Sequence, residues 1–314
     1  MARVTVVEAE AIVDKEFGVL DKGFVRLVDY MGGDARIVQA ARVSYGEGTR
    51  AVREDRALID YLLRHQHTSP FEQVIFTFHV KMPIFVARQW IRHRTARLNE
   101  ISGRYSVMKD EFYCPRPEEV RTQSRLNKQG GGEIVSEELR EKVIALIKEE
   151  QRQTYRSYGG LLEDGIAREL ARLNLPLSLY TEMYWQIDLN NLFHFLRLRM
   201  DWHAQYEIRA YGDAMAAIVR AVAPMAYASF EEHVLYGHSF SKSEIEALRA
   251  ALDPARLQGA LDATGMKKSR RLEFYKKLGL LEEGLAERDA PDTPATKDAR
   301  ASAGAAGAKT TAGS

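Results

Sequence analysis

Cysteine is almost missing from this 314-residue sequence: Cys114 stands alone. One thiol closes no intramolecular disulfide and builds no Cys-rich zinc module. An excess of charge is missing too. The 45 Lys and Arg against 44 Asp and Glu leave a formal net charge of +1, which argues against a wholesale binder of nucleic acid. No apolar run nears the length of a membrane span; the best, residues 214–219, is cut by Arg220. The N-terminus lacks the basic-then-apolar pattern of a secretory signal. Gly18, Gly32 and Gly33 form no dinucleotide fingerprint and no P-loop lysine motif occurs, so any nucleotide or flavin binds by a non-Rossmann route. A cytoplasmic, reducing-compartment protein is expected, with no membrane and no nucleic-acid partner. What remains is 45% hydrophobic and 28% charged, enough for a sizeable core.

The periodicities predict an α+β fold: a mixed, largely antiparallel sheet flanked by helices, one of them long. Residues 4–13 and 24–30 read as strands, 34–43 and 53–64 as helices, the latter with Leu58, Ile59, Leu62 and Leu63 as its apolar stripe. Residues 71–82 alternate, with Val74, Phe76, Phe78, Val80 and Met82 on one face. Pro83 suits the first position of a short helix whose buried face is Ile84, Ala87 and Ile91. Residues 177–187 alternate again. From Leu189 to Val222 the period turns helical, until Pro224 ends it. Residues 127–133, with three successive glycines, read as a loop, and the region after Phe230 as short helices. Residues 289–314 hold no Leu, Ile, Val, Met or aromatic and are expected to be a disordered tail. The division expected is a catalytic domain over 1–225, a helical extension over 226–288 packed on it, and the tail.

Charge concentrates between Arg88 and Arg104, where five arginines (Arg88, Arg92, Arg94, Arg97, Arg104) and His93 face one acid, Glu100. Arginine forks grip phosphate bidentately, and the Ser102-Gly103-Arg104 turn adds hydroxyl and N–H donors, so the run suggests a phosphate or nucleotide pocket as much as a solvated basic face. Arg199 and His203, four apart, share a helical face, as do Asn190 and His194. A buried arginine at 199 needs an anionic ligand or an internal acid such as Glu207 or Asp201. His65 and His67 have no third ligand at a typical spacing, so no metal is expected. An alternative for the whole basic run is a module that binds RNA or a phosphorylated partner through Trp90 and the arginines.

Four blocks, in order, carry a resemblance. Arg92-His93-Arg94 followed by Ser102 and Arg104-Tyr105 is similar to the signature of the flavin-dependent thymidylate synthases. His67-Thr68-Ser69-Pro70-Phe71-Glu72, then Leu175-Pro176-Leu177 with Tyr180-Thr181 and Trp185, then residues 195–199 with His203-Ala204-Gln205 and Glu207-Ile208-Arg209 resemble the family's other segments. Together they cover residues 24–224.

The resemblance implies reductive methylation of dUMP to dTMP by a homotetramer with interfacial active sites. Methylenetetrahydrofolate gives the carbon, and NADPH the hydride through bound FAD. By position it implies that Gln89, Trp90, Ile91, Arg92, Glu100, Ile101, Ser102, Gly103, Arg104, Arg172 and Arg199 bind dUMP, and that Arg199 favours the ionised uracil and so activates C5. It implies that Ser69, Arg92, His93, Arg94, Glu100, Asp188, Leu189, Asn190 and His194 hold FAD, with His67, Tyr105 and His203 on the flavin–folate side. It requires no cysteine nucleophile, and Cys114 reads as structural. Arg97 and Gln73 depart from the family's usual residues. A scaffold of this fold that binds flavin without making dTMP would share all these features.

Overall fold

The computed structural model describes residues 5–43, 52–124 and 130–280. A five-stranded sheet organises the first compact unit, which runs to Gly237. Its strands are β1 (Glu16–Val19), β2 (Gly23–Met31), β3 (Ile75–Pro83), β4 (Arg97–Glu100) and β7 (Tyr180–Asp188), in the order β1-β2-β3-β7-β4. Every pairing is antiparallel. The alternation predicted for β3 holds up to Val80: Val74, just before the strand, and Phe76, Phe78, Val80 and Met82 are buried, while Lys81 and Pro83 at the strand's end are buried as well. Against that face lie α4 (Ile84–Trp90), α7 (Leu189–Arg199) and α8 (Tyr206–Val222), closing one core around Trp90, Trp185, Phe195 and Tyr211. Close packing at the β1–β2 turn depends on Gly23, where a Cβ would sit 2.0 Å from the Tyr211 hydroxyl.

Several expectations change. Residues 4–13 are not a strand: among those described, Val7–Glu10 form a single helical turn, α1, with only Ala9 buried. Pro83 closes β3 and lies just before α4 instead of opening it, and the buried face of α4 is Val86, Ala87 and Trp90, with Ile91 exposed. The helical stretch expected over 189–222 breaks in two after Arg199. The Asp201 carboxylate accepts from the His203 backbone N–H at 2.8 Å, a local turn that competes with helix continuation.

The long helix lies elsewhere, at α5 (Glu137–Glu163, 27 residues), N-capped by the Ser136 side chain. It covers a second, smaller core of Met108, Phe112, Tyr158, Ala171 and Leu179. Part of the expected 127–133 loop is a strand: β6 (Gly131–Ile134) pairs with β5 (Arg121–Gln123), and a Cβ on Gly132 would meet Thr122 Oγ1 at 2.8 Å.

Helices α2 (Asp34–Arg42) and α3 (Val52–Arg64) form as expected, Ile59 and Leu62 being buried. Helix α9 (Pro224–Phe230) is capped at long range, Asp34 accepting from the backbone N–H groups of Met225 and Ala226 at 2.7 and 3.0 Å. Because Ala226, Tyr227 and Phe230 join the core, the first unit extends past residue 225. The second unit, from His238, holds α10 (Lys242–Ala251), α11 (Pro254–Ala263) and α12 (Lys268–Leu278), tied by Tyr275 donating to Gln258 at 2.6 Å. The tail over 289–314 lies outside the described residues.

Candidate active site

The sheet and α4 deliver the basic run to two places at opposite ends of β4. At the first, α4 ends at Trp90 and the chain turns through Ile91, Arg92 and His93. Arg199, the last residue of α7, reaches across: its Nε donates to His93 Nε2 at 3.0 Å and its Nη2 to the Gln89 carbonyl at 3.1 Å. Neither Asp201 nor Glu207 pairs with it; Asp201 holds His203, and Glu207 accepts from the Tyr113 hydroxyl at 3.0 Å. Arg199 and His203 therefore share no helical face.

His93 packs edge-on against Phe195 and near His194. Burial, then the charge of Arg199 and the presence of His194, lower its pKa to about 4. It is neutral near pH 7, and accepting at Nε2 puts its proton on Nδ1. Desolvation also draws Arg199 below its ordinary value, although a guanidinium stays charged at neutral pH. With Nε and Nη2 engaged, Nη1 of Arg199 has no partner among the described residues. The Gln89 side chain donates to Gln205 at 2.5 Å, so α4 is gripped from both sides of the α7–α8 break.

The second place is the Ser102-Gly103-Arg104 turn. Gly103 is buried under the Arg172 side chain, whose Cδ and Nη1 lie 3.1 and 3.2 Å from where a Cβ would stand. Glycine at 103 is what lets Arg172 lie against the turn. The Arg104 N–H donates to Ser102 Oγ at 3.3 Å, and Arg104 Nε to Glu169 at 3.1 Å. Arg168 donates to the Tyr105 carbonyl at 3.0 Å, leaving the Tyr105 ring exposed. Glu100 accepts from Thr181 Oγ1 at 2.6 Å, and Ile101 is exposed. The guanidinium groups of Arg88, Arg92, Arg94, Arg97 and Arg172 bond to no other described residue. Such unpaired cations suit an anionic ligand.

A cleft of about 260 Å³ opens beside the first place. His67, Asn190, His194 and Arg197 supply its polar wall, Phe71 and Phe193 its apolar one. The end of α3 puts His67 there. Gln66 is left-handed (φ 58°), and the N–H groups of Gln66 and His67 bond back to Leu63 and Leu62. His65 and His67 both pack on Tyr61, and among the described residues no group of three or more His, Cys, Asp or Glu gathers as a metal site. Ser69 is exposed at the following turn.

Some expected residues serve the fold. The side chains of Trp90 and Leu189 are fully buried in the core. Asp188 caps α7, accepting from the Asn191 N–H at 2.9 Å. Gln205, Glu169, Arg168 and Thr181 have no role readable from sequence, although Gln205 and Thr181 stand in matching blocks. Burial pushes the Cys114 thiol up, away from thiolate chemistry, and its Sγ donates to the Pro115 carbonyl at 3.8 Å.

An antiparallel α+β scaffold with a helix-end arginine, a neutral histidine and a strip of guanidinium groups unpaired among the described residues is the class of site that suits an anionic ligand. Comparison with known proteins gives the particular family. The thymidylate synthase complementing protein model matches residues 26–225. The flavin-dependent thymidylate synthase of Treponema denticola is 67% identical over 238 residues, 76% of this chain and 90% of that one. That of Thermus thermophilus is 58% identical over 261 residues, 83% and 94%. A solved UMP/dUMP methylase from Streptomyces cacaoi, bound with 5-Br dUMP, superposes with TM-score 0.64 at 32% identity, over 71% of this chain and all of that one. The chain belongs to the flavin-dependent thymidylate synthase family.

Proposed function

We propose that this protein methylates dUMP to dTMP, taking the carbon from 5,10-methylenetetrahydrofolate and the hydride of NADPH by way of bound FAD. The observation that carries the reading is Arg199: two of its nitrogens are fixed by His93 and Gln89, and Nη1 remains available. A guanidinium held this way is a preorganised positive charge for a uracil that ionises at N3, raising electron density at C5 without a covalent nucleophile. Gln89 and Arg92 flank it. Ser102, Gly103, Arg104 and Arg172 form a second donor set suited to a nucleotide phosphate. Ser102 has no adjacent base, so it binds and does not attack.

Bound FAD supplies the redox carrier between NADPH and the pyrimidine. The residues fit it: Arg92 and Arg94 are unpaired cations for a diphosphate, and the cleft of His67, Asn190 and His194 joins polar donors to an apolar wall. His93, uncharged, keeps the site's positive charge on the arginines.

The two donor sets lie apart in one chain, at either end of β4, which favours a homotetramer whose subunits complete each other's sites. Purified protein should be yellow, oxidise NADPH in a dUMP-dependent way and form dTMP. Colourless protein that takes up no FAD would overturn the reading. Mixing inactive Arg199→Ala and Arg104→Ala subunits should restore measurable turnover if sites are shared, and none if each chain is complete.

A further inference from the structure

A second cleft lies beside the Arg199 end of α7, lined in part by His203, Gln205 and Glu207. It measures about 920 Å³ and lies between the β5–β6 pair and the break that separates α7 from α8. One wall is the segment Trp202 to Gln205, whose last residue holds Gln89, so the cleft opens next to the first donor set. The other wall carries Arg121, packed along Gly131.

Its chemistry is specific. Trp202 is 71% exposed, an unusual state for so large an aromatic on a backbone this well tied: Arg209 donates to its carbonyl at 3.2 Å, and His203 is fixed to Asp201. One face of the ring lies against His203, the centroids 3.4 Å apart, and the exposed remainder is a stacking platform. The acids in the cleft are already committed, Glu119 to Arg116 at 3.2 Å and Glu207 to Tyr113. The cations are freer: the Arg121 guanidinium bonds to no other described residue, and Arg209 spends one nitrogen on the Trp202 carbonyl and lies close enough to Asp213 to favour its charged form. An aromatic shelf followed by two guanidinium groups matches a ligand with a flat ring and a flexible chain of carboxylates.

We infer that this cleft receives the aminobenzoyl-glutamate tail of the folate carbon donor, the ring on Trp202 and the carboxylates on Arg121 and Arg209. The inference rests on the methylation proposed above and adds the part of the protein that sets preference for the length of the glutamate chain. A single glutamate already carries two carboxylates for the two arginines; each further glutamate adds one more negative charge that can exchange onto them, which tightens binding at low salt.

The test uses the holoprotein with dUMP, NADPH and methylenetetrahydrofolate carrying either a single glutamate or a pentaglutamate chain. Wild-type protein should show a KM for the pentaglutamate form lower by about tenfold, the worth of one charge-assisted contact, and the gap should narrow as salt is raised. Arg121→Ser should remove most of that gap and Arg121→Lys restore part of it, with flavin content and melting temperature at wild-type values. Trp202→Ala should raise the KM of both forms alike, and Trp202→Phe should recover it. Equal KM values for the two forms in wild type, or an undiminished gap in Arg121→Ser, would overturn the inference while leaving the methylation intact. No dTMP from either form would sink the methylation reading and this inference with it.

Discussion

Arg199 donates from Nε to His93 Nε2 at 3.0 Å across 106 positions of sequence, so the arginine proposed to face the pyrimidine is aimed by a histidine that must stay uncharged. Protonating His93 would replace an acceptor with a donor and set two cations against each other.

From this follows a pH dependence. The His93 pKa falls from an ordinary 6.5 to about 4 in the fold, so the neutral form is the one the folded state favours. Its contribution is complete above about pH 6.5 and is lost as the pH drops toward 4. The folding stability of wild-type protein should therefore fall over that window. In His93→Gln, which keeps an acceptor that does not titrate, this part of the pH dependence should flatten. Chemical denaturation of both proteins between pH 4.5 and 7.5 checks it.

Removing the charge itself is more severe. Arg199→Ala should keep its fold and its flavin but lose about 10²- to 10³-fold in dTMP formation, the usual cost of one preorganised electrostatic donor. Single-turnover kinetics with a flavin absorbance control would show it; turnover like that of wild type contradicts the role.

Arg92 is assigned to both ligands. Arg92→Ala should weaken dUMP and FAD together, each by about tenfold, which equilibrium dialysis against each ligand measures. Unchanged affinity for both removes Arg92 from the site.

Cys114 should prove dispensable. Burial raises its pKa, and Cys114→Ser should turn over within about twofold of wild type, a difference well under 1 kcal/mol. A dead variant would reopen thiolate attack on the pyrimidine.

One prediction concerns stability alone. In Gly23→Ala the new Cβ would collide with the Tyr211 hydroxyl, itself bonded to the Lys81 carbonyl at 2.7 Å, and with the carbonyls of Lys81 and Val19. Chemical denaturation should show a loss of about 1–3 kcal/mol, the range for overpacking a tight site.

The central strands were legible because burial is one-sided along most of their length: Phe76, Phe78 and Val80 are all inside, and the alternation fails only at the strand ends, where Lys81 and Thr181 are also buried. The 27 residues of α5 were not, since only Gln151 and Tyr158 on it are buried and its apolar stripe is thin. The break after Arg199 escaped notice because the apolar spacing before it and after it is helical on both sides, while the interruption comes from a single Asp201 side chain. Of the site, the arginine run and its family blocks could be read directly. The Arg199–His93 bond, the seat of Arg172 on Gly103 and the tie from Gln205 to Gln89 could not, because each joins distant segments that only folding brings into touch.

Gln89 is clasped twice, through its carbonyl by Arg199 and through its amide by Gln205. The short segment between those two residues thus works as a ruler. Lengthen it by one position and one of the two grips must let go, tilting the end of α4 and the arginines that follow it. Evolutionary insertions there would be expected to cost turnover before they cost folding.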